Sequence, residues 1–138
     1  MDYKVTLSDL ADEQVRKAIA APLIRYNEAQ AGSSQHRPLV LAIRDSSDAV
    51  IGGLWGATAY GWLYTQMLTV PDKLRGRGVG TRLMQQAEEE ARRRGCLQAW
   101  VDTQFGARPF YEKLGYAVFG ELSDYPPGFS RTFLRKSL

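Results

Sequence analysis

The sequence predicts an α/β fold in which helices flank a central, twisted, mixed β-sheet. Three observations carry that reading. The chain has 138 residues, 44% of them apolar and 24% charged, which suits one compact domain with its own core, spanning 1–138. Strand-like and helix-like stretches follow one another in the order β, helices, β-β-β, α, β, α, β, β, a mixture that builds sheets with helices packed on them. After Pro71 the apolar period changes from two to that of a helix, with Val79, Leu83, Met84, Ala87 and Ala91 on one face.

The opening DYKVTLSD reads as a short strand. Ser8 and Asp9 can cap a helix over roughly 9–30, interrupted at Pro22, because proline removes a helix donor. Residues 31–38, AGSSQHRP, form a polar loop. LVLAIR at 39–44 is a strand, and DSSD at 45–48 is a turn in which short polar side chains bind the backbone. Two more strands, 49–60 and 62–70, are divided near Gly61. In the helix that follows, Glu88, Glu89 and Glu90 each stand four residues before Arg92, Arg93 and Arg94, the favoured polarity for ion pairs on an exposed face. Gly95 stops that helix. Residues 97–103 form a strand, 107–114 a short helix ended by Gly115, and 116–122 a strand. A last strand at 131–134 follows the DYPPG turn.

Composition excludes several classes. The single cysteine, Cys96, cannot form an internal disulfide or a cysteine-based zinc site, and it reads as a small buried hydrophobe. The single histidine, His36, lies in a polar loop and reads as a solvated side chain, so no metal is expected. Residues 49–71 carry no formal charge and are long enough to span a bilayer. Their glycines and threonines dilute the aliphatics, and two adjacent strands fit better than a membrane helix. The N-terminus has scattered charges and no apolar stretch, unlike a signal peptide. A cytoplasmic protein without membrane partners is expected.

The net charge is +3. Lys73, Arg75, Arg77 and Arg82 lie between residues 73 and 82 with no acid among them, which leaves −1 on the remainder. A local basic excess suits a compact phosphorylated ligand better than a long polyanion, so nucleic acid is not an expected partner. The same segment reads Leu74-Arg75-Gly76-Arg77-Gly78-Val79-Gly80-Thr81, after a strand and at the start of the strongest helix. Alternating glycines let the backbone approach a ligand with N–H groups turned inward, and the helix start adds its positive dipole end. Together they form an anion cradle, best matched to a pyrophosphate. A Walker A loop would need a lysine after its last glycine, and a dinucleotide fingerprint would need GxGxxG spacing; this segment has neither.

Arg75-x-x-Gly78-x-Gly80, between a strand ending at Val70 and an amphipathic helix, resembles the pyrophosphate signature of the GNAT acyl-CoA N-acyltransferases. Downstream, Ala107-Arg108-Pro109-Phe110-Tyr111-Glu112-Lys113-Leu114-Gly115-Tyr116 resembles that family's A-x-x-F-Y-x-x-x-G-F/Y segment. Residues 49–122 carry the close match. The resemblance implies the GNAT fold, with strands 62–70 and 97–103 splaying around the ligand, and acetyl transfer from acetyl-CoA to a primary amine by direct attack. It implies that the backbone of Leu68, Thr69 and Val70 binds the pantetheine arm. Main-chain N–H groups of Arg75, Gly76, Arg77, Gly78, Val79, Gly80 and Thr81 would hold the pyrophosphate. An N–H near Leu68 would polarise the thioester, and Tyr111 would protonate the leaving thiolate.

Two positions depart from the family pattern. Gln104 stands where an asparagine is common, which moves the amide by a methylene. Gln66 stands on the strand where a glutamate base is common, and glutamine cannot accept a proton at neutral pH. A water chain ranks first as the replacement; Asp102 on the next strand, or no base at all, remain alternatives. The expected acceptor is a small-molecule or peptide amine. The rival reading is a non-catalytic acyl-CoA-binding module on the same fold. Aromatic residues on the C-terminal strands make a homodimer an expectation.

Overall fold

A computed structural model describes residues 1–138, which separate into two compact units, 1–34 and 35–138. The first unit contains one helix, α1, Glu13–Ala31. Its cap is Asp12, whose carboxylate accepts from the N–H groups of Gln14 at 2.8 Å and Val15 at 3.4 Å. The helix therefore starts later than Ser8 or Asp9 would place it, and it runs through Pro22 without a break. The strand expected at the start of the chain is not formed: residues 1–9 belong to no helix or strand. A strand needs an edge to pair with, and alternation in sequence does not supply one. Ser8 instead accepts from the N–H of Leu10 at 3.1 Å, a local bond that competes with regular structure.

The second unit is a six-stranded sheet with two helices. Its strands are β1 Arg37–Arg44, β2 Val50–Ala59, β3 Trp62–Thr69, β4 Gln98–Thr103, β5 Ala117–Ser123 and β6 Ser130–Ser137, in the spatial order β1-β2-β3-β4-β6-β5. Only β3 and β4 are parallel neighbours; the other pairs are antiparallel. The last strand is longer than its apolar centre suggests, because its outer residues complete ladders with β4 and β5. Turn chemistry behaves as the sequence indicates. The Asp45 carboxylate accepts from Ser47 N–H at 2.8 Å and Ala49 N–H at 3.0 Å. Tyr60 and Gly61 both take positive φ, 50° and 76°, which closes the β2–β3 hairpin tightly. The uncharged stretch 49–71 is therefore this hairpin, and no helix of the chain is long and apolar enough to cross a membrane.

Helix α2, Val79–Arg93, connects the parallel strands, and α3, Arg108–Lys113, precedes β5. The core lies under α2, where Met84, Ala87 and Ala91 meet Leu63, Ala99, Val101 and Leu134. The expected row of Glu–Arg pairs is only partly present. Glu90 binds Arg93 and Arg94, each at 2.9 Å. Glu88 is instead buried, its side chain 4% exposed, and accepts from Lys136 Nζ at 2.7 Å and Tyr116 Oη at 2.8 Å. Two helix positions separate the two fates: Glu88 falls beside Met84, Ala87 and Ala91 on the face that meets the sheet, and Glu90 turns away from it.

Replacing Glu88 with alanine leaves a buried phenol and an ammonium group without their acceptor. The expected cost is about 3 kcal/mol, read as a lower urea midpoint at unchanged m-value.

Candidate active site

The parallel pairing of β3 with β4 runs from Trp62↔Gln98 to Thr65↔Val101 and goes no further. Residues 67–69 stay paired with β2 but not with β4. The two strands therefore part, as the family resemblance implies. A bulge marks the place: Trp55 pairs with Met67 and Gly56 with Thr65, so Gln66 is the extra residue. Gly56 is required opposite it, since a Cβ there would lie 2.3 Å from the carbonyl oxygen of Tyr64. The parted segment offers the backbone edge of Leu68 and Thr69 on its free side.

At the end of this edge, Val70 leads through a short 3-10 turn, Asp72–Leu74, to the glycine loop. Gly78 is the N-cap of α2 at φ 72°, in the left-handed region, and no side chain caps the helix. The N–H groups of Val79, Gly80 and Thr81 have no acceptor within the helix, and its first turn holds no acid. A cleft of about 310 Å³ lies over them, lined by Val70, Leu74, Arg75, Gly76, Gly78, Val79, Gly80, Thr81 and Phe110. Arg82 fastens the loop from behind by donating to the carbonyl of Arg77 at 3.0 Å. Arg75 stays at the surface, paired with Asp72 at 3.2 Å. This donor array fits a pyrophosphate group.

Gly80 has a different reason to be glycine from the one its spacing suggests. A Cβ there would stand 3.3 Å from the ring of Phe110 and 3.7 Å from Val70 Cγ2, so the residue makes room for the protein's own aromatic floor. Sequence reasoning passed over Phe110, although it sits beside Tyr111 in the second motif.

Tyr111, on α3, is buried and packs edge-on against Phe110 at 5.0 Å and Tyr116 at 6.0 Å between ring centroids. Burial, and secondarily the charge of Asp102, push its phenol above the usual tyrosine value. It remains protonated at neutral pH, the state a proton donor needs. Asp102, on β4, thus acts electrostatically on Tyr111. Gln104 is not brought to the glycine-loop cleft. Its amide donates to the carbonyl of Tyr125 and accepts from Arg131 at 3.4 Å, which fixes the loop before β6. Cys96 is buried and its thiol is pushed up by that burial, which suits packing and not nucleophilic attack. A larger cleft of about 440 Å³, lined by Trp62, Gln98, Lys136 and others, lies at the opposite end of the parallel strands, away from loop and bulge.

The sequence profile of the acetyltransferase (GNAT) family matches residues 6–116. An Agrobacterium fabrum protein named acetyltransferase is 47% identical over 131 residues, covering 94% of this chain and 96% of that one. The chain belongs to the GNAT acetyltransferase family. The crystal structure of an Agrobacterium tumefaciens protein superposes with a TM-score of 0.94 at 44% identity, covering 99% of this chain and 100% of that one. The blasticidin-S acetyltransferase of Streptomyces morookaense is 40% identical over 89 residues, 63% of this chain and 65% of that one. Parted parallel strands with a glycine loop at their open end are thus this chain's form of the GNAT fold, and the chain is an acetyltransferase.

Gly78→Val forces a β-branched residue into φ 72° and disturbs the N–H array. Acetyl-CoA at 100 times its Kd should stabilise the unaltered protein by about 2.7 kcal/mol; in the variant that rise in Tm should vanish. An unchanged rise would remove the loop from the binding site.

Proposed function

We propose that this acetyltransferase moves an acetyl group from acetyl-CoA to a primary amine by direct attack in a ternary complex, with residues 1–138 working as one catalytic domain. The observation that carries this reading is the place of the anion cradle at the open end of the parted strands. A ligand held there by its pyrophosphate can extend its arm along the free edge of β3 towards the bulge.

Acetyl-CoA, when bound, supplies the activated carbonyl. Backbone N–H groups from Gly76 to Thr81 hold the pyrophosphate, that of Arg75 being donated instead to the carbonyl of Asp72 at 3.1 Å, and the edge at Leu68, Thr69 and Val70 takes the pantetheine arm as an added strand. The N–H near Leu68 stabilises negative charge on the carbonyl oxygen. Tyr111 donates its phenol proton to sulfur as the carbon–sulfur bond breaks. No covalent enzyme intermediate is needed, and Cys96 has no part in the reaction.

The acceptor class is a small-molecule or peptide amine. A relative named for an antibiotic supports the small-molecule alternative. Phe119, half exposed on the edge strand β5, supports self-association of the protein through that edge.

Tyr111→Phe keeps the ring and removes the proton. With acetyl-CoA and a competent amine, kcat should fall about 100-fold while coenzyme affinity changes little. Because burial and, after it, the charge of Asp102 disfavour the phenolate, Tyr111 ionises above the usual tyrosine range. Loss of the phenol proton should therefore not lower kcat of the unaltered enzyme on the alkaline side until beyond the range where an ordinary tyrosine titrates. Unchanged turnover in the variant would make Tyr111 a packing residue.

A further inference from the structure

Direct attack leaves the amine nitrogen with a proton to lose, and Gln66 at the bulge cannot take it. The sheet face turned away from α2 holds a group that can. Along β3, β4 and β6, the buried residues Leu63, Thr65, Ala99, Val101, Thr132 and Leu134 alternate with Tyr64, Trp100, Asp102 and Arg131. Strand alternation puts this second set on the opposite face.

Asp102 is the first residue of β4 beyond the last parallel pair, Thr65↔Val101, where the strands part. Its side chain is 7% exposed, and its two oxygens have different partners. Arg131 Nη2 donates to Oδ1, and Tyr64 Oη donates to Oδ2 at 3.2 Å. Arg131 is itself held, by Gln104 Oε1 at 3.4 Å and over the ring of Tyr125 at 4.9 Å. The Tyr64 ring is stacked on Trp100, with centroids 4.1 Å apart and planes 13° from parallel. One hydroxyl is thus fixed at both ends, by ring stacking and by a carboxylate.

Tyr64 also lines a cleft of about 230 Å³ on the sheet, together with His36, Trp55 and Gln66. This cleft reaches the bulge residue, and it is separate from the cleft over the glycine loop. We infer that the acceptor amine occupies the Tyr64–Gln66 cleft, with its nitrogen donating to Tyr64 Oη, and that its proton leaves through Tyr64 to Asp102. The inference rests on the acyl-transfer reading above.

The step balances without a further reagent. The nitrogen lone pair forms the new bond to the acetyl carbon, and the carbon–sulfur electron pair leaves with sulfur. The amine's proton passes to Tyr64 Oη as the Tyr64 proton passes to Asp102 Oδ2, from which solvent removes it. Tyr64 acts as a carrier and not as the final base. Burial first, then the charge and hydrogen bond of Asp102, hold its phenol above the usual tyrosine value, so it stays protonated between turnovers. Asp102 is a positioning residue as well as the proton's destination. Arg131 occupies one oxygen and leaves the other to the phenol.

Tyr64→Phe, Asp102→Asn and Asp102→Glu separate these roles. Steady-state rates would be measured with an amine accepted by the unaltered enzyme, and acetyl-CoA affinity by calorimetry. Tyr64→Phe and Asp102→Asn should each lower kcat with that amine about 100-fold at unchanged acetyl-CoA affinity. Asp102→Glu, which keeps the carboxylate, should recover part of the loss. Turnover by Tyr64→Phe within about threefold of the unaltered enzyme overturns the relay and leaves acyl transfer standing. Loss of acetyl-CoA affinity in proportion to rate also overturns it, since the cluster would then only support the fold. An unaltered enzyme that binds acetyl-CoA but releases no thiol with any amine overturns the acyl-transfer reading, and the relay with it.

Discussion

The parting of β3 from β4 is the constraint on which the rest of the site depends. Parallel strands that stayed paired to their ends would bury both edges and leave no backbone for a ligand to meet. Here the ladder ends at Thr65 and Val101, the bulge at Gln66 follows at once, and β2 keeps hold of β3 on its other side. Gly56 makes that geometry possible by letting the carbonyl of Tyr64 come close. The cost of an unpaired edge is concentrated in a few residues, beside a helix start whose N–H groups also await a partner. Both sets of unmet donors and acceptors lie along one path, from bulge to glycine loop.

The sheet divides the chemistry between its two faces. Under α2 lie the core, the Glu88–Lys136–Tyr116 network and the aromatic cluster around Tyr111. On the other face lie Tyr64, Trp100, Asp102 and Arg131. The charge of Asp102 is nevertheless felt by Tyr111 on α3. Tyr111 and Tyr64 thus stand on opposite faces of the sheet, with burial first and one shared carboxylate second raising the pKa of both.

Most of the second unit was legible in the sequence because its signals are local. The DSSD turn, the break at Gly61, the amphipathic run from Val79 and the stop at Gly95 each follow from side chains within a few residues. The glycine loop's signals are local as well: its alternating glycines, its arginines and the helix start all lie within a few residues. What was misread depends on partners distant in sequence. The opening DYKVTLSD alternates like a strand but forms no ladder, and Pro22 did not break a helix whose other bonds suffice. Glu88 looked like one of three solvent-facing acids until Lys136 and Tyr116, 48 and 28 residues away, turned out to need it. Arg131 gave no signal at all. Its meaning comes from the pairing of β4 with β6, which sets it near Asp102 and Gln104. Gly80 and Phe110 are a smaller case of the same kind, a glycine whose reason lies 30 residues downstream.

The most direct measurement is an amide titration by nuclear magnetic resonance of the isotope-labelled protein with coenzyme A. Binding along the parted edge predicts the largest shifts, and new protection from hydrogen exchange, at Leu68, Thr69 and Val70 and from Gly76 to Thr81. Val50 to Ala59, on the paired side of β3, should move far less. Shifts confined to the far end of the parallel strands, around Gln98 and Lys136, would contradict a site built on the parting of β3 and β4.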